Sequence, residues 1–284
     1  MKKIAYFLLI ALSLGFVACE DKNGANGAKI TYKATQKLPE AQTEWEDGLY
    51  LAGFGAKCTS HVYDETTQTG TLVFATKPRT MDFAFYGCKD LISVDIPKTI
   101  TIIGTNAFKN SGLKEFSFPD WITEIYPNAF AGTQIESIII PETITKMGTS
   151  VFEGCKQLTE VYFSNELDTL PQSTLRNCSA LKTVVLHDNL SMIDAYAFFG
   201  CSDLPSIVIP RVIKIDTHAF DGCSSLATVT CKTPVPPTID QSTTFTGIPS
   251  NAKLYVPSVG VTTYKTTGNW IKYFKAENIS AIAE

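Results

Sequence analysis

The chain has 284 residues, 44% hydrophobic and 11% aromatic, and its 18% charged share lies below the roughly 25% usual in globular chains, which excludes a disordered polymer. With 24 Lys and Arg against 28 Asp and Glu the net charge is −4, so there is no basic surplus to neutralise phosphates, and a nucleic-acid binder is excluded too. Length alone permits one large domain or two ordinary ones, so the architecture has to be read from the internal pattern.

Residues 1–18 have the three parts of a secretory signal: Lys2 and Lys3, an apolar run from Ile4 to Gly15, and the small Ala18 ahead of Cys19. The run is shorter than the roughly 20 residues a spanning helix needs, and polar Glu20-Asp21-Lys22-Asn23 follows at once. No other stretch is long and apolar enough to span a bilayer. The segment Phe16-Val17-Ala18-Cys19 resembles a bacterial lipobox, with Phe16 in place of the usual Leu. That resemblance implies that Cys19 takes up diacylglycerol and becomes the first residue of the mature protein, with acyl chains as its membrane anchor. Loss of residues 1–18 removes 2 lysines and leaves 22 basic against 28 acidic side chains, a net charge of −6. Glu20-Asp21 is similar to the acidic signals that send lipoproteins of some Gram-negative gut bacteria to the outside of the outer membrane. The expected location is therefore the outer membrane, exposed on the cell surface. Residues 19–29 read as the lipidated Cys and a flexible tether.

Residues 30–80 read as an N-terminal cap, with Gly70-Thr71-Leu72-Val73-Phe74 as a strand. From residue 81 the chain repeats itself. Aligned on one aromatic position, Phe85, Phe108, Phe130, Phe152, Leu175, Phe198 and Phe220 follow at spacings of 23, 22, 22, 23, 23 and 22. The unit reads A-F-x-G-C-x-x-L-x-x-V-x-I-P, clearest in Phe85-Tyr86-Gly87-Cys88 with Leu91, Val94, Ile96 and Pro97. Leu91 to Ile96 alternates with period 2, so Val94 and Ile96 face one way and Ser93 and Asp95 the other. Pro97 lacks an N–H and ends the strand. One rung cannot bury its apolar side, whereas stacked rungs give every Phe, Leu, Val and Ile a neighbour above and below.

The pattern L-x-x-V-x-I-P over residues 81–232 resembles the BspA-like leucine-rich repeats of bacterial surface proteins, with Pro97, Pro119, Pro141 and Pro210 after the strand. The resemblance implies an α/β-type solenoid, a right-handed superhelix of seven repeats with a parallel β-sheet on its concave face, capped at both ends. A closed parallel β-helix would need more strand per turn than these loops supply. Residues 233–284 read as the C-terminal cap, in which Leu254-Tyr255-Val256-Pro257, Tyr264, Trp270 and Phe274 resemble the C-terminal module of the same family.

Catalytic and metal patterns are not found. Cys88, Cys155, Cys178, Cys201 and Cys223 occupy one repeat position, where Ser111 and Thr133 stand elsewhere, so they read as small buried side chains forming a free-thiol ladder. No CxxC occurs, and His61, His187 and His218 fall in unrelated contexts. The expectation is a protein with no enzymatic activity, no metal and no cofactor.

The outward side chains of the sheet form two columns. One contains Glu115 and Glu160; the other runs Asp95, Ser117, Ile139, Tyr162, Val185, Val208, Thr230, so its middle four are apolar. β-Branched residues and Tyr suit any sheet surface. Read functionally, Ile139, Tyr162, Val185 and Val208, with Glu115 and Glu160 beside them, form a binding surface for a protein or a glycan. The family resemblance implies attachment to host extracellular-matrix proteins. The other reading is a structural or accessory envelope lipoprotein that binds a bacterial partner or a glycan from the periplasmic side.

Overall fold

The structure, a computed structural model, describes residues 28–38, 52–239 and 243–283. The signal segment 1–18, Cys19 and most of the tether lie outside the described residues. A cap of three strands comes first: β1 (Lys29–Ala34), β2 (Cys58–Asp64) and β3 (Thr69–Phe74). With β4 (Leu91–Asp95) they form an antiparallel sheet of order β2-β3-β1-β4. In β1 the alternation Ile30, Tyr32, Ala34 turns every second side chain into the core. Gly70 on β3 is required by close approach, because a Cβ there would lie 1.9 Å from the Tyr32 ring.

Beyond the cap the chain winds as a parallel solenoid whose turns are hydrogen-bonded on three sides. The main side carries β5 (Ser137–Ile139), β6 (Glu160–Tyr162), β7 (Thr183–Val185), β8 (Ser206–Ile209), β9 (Thr228–Cys231), β10 (Lys253–Val256) and β11 (Ile279–Ala281). These pair in parallel as β5-β6-β7 and as β8-β9-β10-β11. A second side has two-residue strands, from Ile102–Ile103 to Thr238–Ile239, in parallel ladders of three and four. The third side is a turn ladder, in which Phe85 N–H donates to Ala107 O at 2.7 Å and Gly87 N–H to Lys109 O at 2.8 Å, a pattern repeated turn after turn.

The α/β-type expectation needs one correction of detail. Among the described residues the repeating turns contain no helix; α1 (Val261–Thr266) and α2 (Gly268–Ile271) both belong to the C-terminal segment. The reason is local. Two residues before each aromatic, Phe83, Asn106, Asn128, Ser150, Ser173, Tyr196 and His218 have φ between 54° and 60°. Two residues after it, a Gly or Asn has φ of 60° to 80°. A left-handed residue on either side of the Phe leaves no room for a helical run.

The main sheet is interrupted twice. In the second copy Phe116 and Phe118 pack on Phe130 at 4.9 and 5.7 Å, and residues 113–118 form no strand. Between β7 and β8 the cause is Pro205. The corresponding N–H of Lys182 donates to Thr159 O, and that of Ala227 donates to Pro205 O, but Pro205 has no N–H to give Lys182.

The core is a stack of rings along the axis. Phe85 and Phe108 lie 5.5 Å apart at 2°, Phe108 and Phe130 5.2 Å at 15°, and Phe130 and Phe152 5.5 Å at 17°. Leu175 breaks the run, which resumes from Phe198 through Phe220 to Phe245. The parallel stack therefore extends one turn past the seven copies read from the sequence, and β10 pairs with β9 in the same register. Both ends close on edge-on rings: Phe54 against Phe85 at 82°, and Phe274 against Phe245 at 75°. Each buried ring contributes about 1.5–3 kcal/mol of burial, and the edge-on contacts end the stack without an open apolar face.

Candidate functional site: an apolar column on the main sheet

The column begins where the antiparallel cap ends. At the first rung Thr31 Oγ1 donates to Asp95 Oδ2 at 2.6 Å, so β1 lies beside that position, which stays exposed. Ser117 and Glu115 follow on the irregular second copy, both exposed. From β5 onward the register aligns the apolar members: Ile139 pairs with Tyr162, and Tyr162 with Val185. β8 continues beside β7 across the Pro205 gap, and Val208 aligns with Thr230, which aligns with Tyr255.

Three of these side chains stand out into solvent: Ile139 is 51% exposed, Val185 44% and Val208 47%. Single exposed apolar residues are ordinary, and Ile213 and Val259 are further examples here. The column differs because its members are neighbours on consecutive rungs about 4.8 Å apart. Tyr162 is half-buried, and its hydroxyl donates to Glu160 Oε2 at 3.2 Å. Burial, and then the adjacent Glu160 carboxylate, push its pKa up, so the phenol stays protonated at neutral pH. The structure thus brings Glu160 to the column and leaves Glu115 one rung before Ile139, on an irregular segment. Tyr255 extends the column at the far end. The sequence reading placed it in the cap, although the alternation Leu254-Tyr255-Val256 carries the same signal as the other rungs.

The seven cysteines among the described residues are free. Cys155 and Cys178 donate their thiols at 3.1 Å to the carbonyls of Phe130 and Phe152; Cys201 and Cys223 donate at 3.2 Å to those of Leu175 and Phe198. Burial pushes Cys155 up to about 11 and Cys223 up to about 12, so neither forms a thiolate nucleophile. The histidines are dispersed: His61 meets Tyr32, His187 Nδ1 accepts from Asn189 N–H, and His218 Nδ1 lies 2.7 Å from Asp221 Oδ2. Among the described residues no group of three or more His, Cys, Asp or Glu is placed to hold a metal, and no helix is long and apolar enough to cross a membrane.

A family model for a BspA type leucine-rich repeat region matches residues 80–205 and 191–267, in six copies. A search of curated proteins finds no match. Among solved structures, a leucine-rich repeat protein from Bacteroides ovatus ATCC 8483 is 22% identical over 71% of this chain, with a TM-score of 0.50. Another, from Eubacterium ventriosum ATCC 27560, is 25% identical over 54% of the chain, with a TM-score of 0.48. This chain covers 63% of the former and 42% of the latter. With the repeat matched from residue 80 to 267 and the stacked rungs in place, the chain belongs to the BspA-type leucine-rich repeat family.

Proposed function

We propose that this protein is a non-catalytic lipoprotein, anchored through Cys19 and displayed on the cell surface, whose main sheet binds a protein partner. The observation that carries the reading is the column of Ile139, Tyr162, Val185 and Val208, three of them more than 40% exposed and standing on consecutive rungs of the main sheet. A flat sheet with an apolar centre and carboxylates at its side fits the anatomy of a protein–protein contact, an apolar core with a polar rim. Glu160 supplies that rim and orients Tyr162, and aromatic residues of this kind anchor interfaces. The family's association with host extracellular-matrix proteins makes these the first partners to try.

The test compares the wild-type chain with a Tyr162→Ala, Val185→Ser, Val208→Ser variant for retention of immobilised matrix proteins. Loss of binding with an unchanged fold supports the reading, and equal retention removes the column from it. Protease added to intact cells tests the display separately, since a protein left untouched would sit on the periplasmic side.

A further inference from the structure

The fifth and sixth turns of the solenoid are joined on two sides and open on the third. On the turn side Leu175 N–H donates to Ala197 O at 2.9 Å and Asn177 N–H to Phe199 O at 2.6 Å. On the second side Met192–Ile193 pairs in parallel with Lys214–Ile215. On the main side β7 and β8 run side by side, yet no backbone hydrogen bond joins residues 182–186 to 205–209. The junctions before and after show what is missing. Phe163 N–H donates to Val185 O at 3.0 Å, and Lys232 N–H donates to Ile209 O at 2.9 Å. At the open junction the equivalent donors are Leu186, which finds no acceptor among the described residues, and Pro210, which has no N–H. Prolines 205 and 210 thus stand at both ends of β8 and withhold both terminal donors.

The core is loosened at the same place. Leu175 stands between Phe152 and Phe198, so the ring stack is broken where the sheet is. The irregular second copy differs in this respect, because Phe108 and Phe130 stack across it. Val184 and Leu186 point inward but are only half-buried, whereas Val161, Ile207 and Val229 at the position of Val184 are buried. Backbone bonds and ring contacts are what hold one rung to the next, and a junction short of both belongs to the low-stability end of the molecule. One long-range contact reaches over it: Lys232 Nζ, on the seventh turn, lies 2.7 Å from Asp188 Oδ1 on the fifth. Both side chains are exposed, so the pair is weak and screened by salt.

We propose that the main side opens and closes at this seam, with the bonded turn side and second side as the hinge and the Lys232–Asp188 ion pair as a strap that holds it shut. The turns up to β7 and those from β8 onward are the two rigid halves. The seam crosses the apolar column between Val185 and Val208, so the hinge sets the angle between the two segments of that column. The hinge stands on backbone bonding and core packing, and it holds whatever the column binds.

The test is residue-resolved amide exchange of the ¹⁵N-labelled full-length chain, together with residual dipolar couplings. Leu186 and Val208 should exchange at least about tenfold faster than Val185 and Ile209, their neighbours in the bonded ladders. Couplings from residues 83–185 and from residues 206–239 should need two alignment tensors of different magnitude, where a rigid rod needs one. Lys232→Gln, or salt at about 0.5 M, should each speed exchange of Leu186 and Val208 about two- to fivefold. Pro205→Ala supplies the missing donor to Lys182 O, and should slow both amides and bring the two tensors together. The wild-type measurements decide the matter if that variant does not fold. Equal exchange within each strand, a single tensor for both halves, or exchange indifferent to both Lys232→Gln and salt would overturn the proposal.

Discussion

Phe220 and Phe245 lie face to face with centroids 5.0 Å apart and ring planes within 2° of parallel, although 25 residues separate them where 22 or 23 separate the other copies. Ring stacking keeps the rung in place despite the longer connection. The same relationship makes the aromatic position the first place to test the energetics of the stack.

Phe152 stacks on Phe130 at 5.5 Å and is fully buried. Phe152→Ala should cost about 3–5 kcal/mol, seen as a lower urea midpoint, because a ring-sized cavity opens in a stack that cannot collapse along its axis. Phe152→Leu should cost under about 1.5 kcal/mol, since Leu175 fills the same slot in the next copy.

The thiol ladder predicts alkaline sensitivity. In the folded state burial raises Cys88 and Cys223 to about 12 from an ordinary value of 9.0. A group with a raised folded pKa contributes stability fully below the unfolded pKa, and that contribution is lost as pH rises through the folded value. Unfolding midpoints should therefore fall progressively between pH 9 and 12, with a shallower slope after Cys223→Ala. At pH 8 in the native state, iodoacetamide should label the half-buried Cys58 far faster than Cys155, Cys178, Cys201 or Cys223, and all should react once the chain is unfolded.

Gly154 has φ of 71° and open space where a Cβ would sit. The cost of substitution there is backbone strain alone. Gly154→Asn should be nearly neutral, because Asn110 and Asn177 hold the same conformation at the equivalent positions. Gly154→Val should cost about 1–2 kcal/mol or more, measured by thermal or urea unfolding, since a β-branched side chain does not suit the left-handed region.

Val185 is 44% exposed on the outward face of the main sheet. Val185→Lys should change stability by less than about 0.5 kcal/mol, while abolishing any binding that uses the column, so that circular dichroism melts and ligand retention separate.

Much of this architecture is legible in one dimension because a solenoid is nearly one-dimensional. Each rung contacts only its neighbours, so a pattern such as Phe85-x-Gly87-Cys88-x-x-Leu91 determines both the local turn and the packing above and below it. The period-2 alternation fixed the faces of the strands, and Ile139, Tyr162 and Val185 stand on the outward face where that alternation put them. The free thiols followed from the same logic, since one slot holds Cys, Ser or Thr.

What depended on the third dimension is the way the repeat starts, breaks and ends. The antiparallel pairing of β1 between β3 and β4 joins residues 36 to 64 apart in sequence, from Lys33 with Thr69 to Thr31 with Asp95, and no local period encodes it. The gap at Pro205 exists because its missing N–H faces Lys182 on the preceding turn, a relation between two rungs that neither shows alone. The eighth rung escaped the periodic reading because its aromatic arrives late in the count, yet stacking holds Phe245 on Phe220. Sequence by itself determined the rung, its inward and outward faces and the family. Tertiary structure decided where the stack stops, because hydrogen-bond satisfaction belongs to the neighbour a group meets in space.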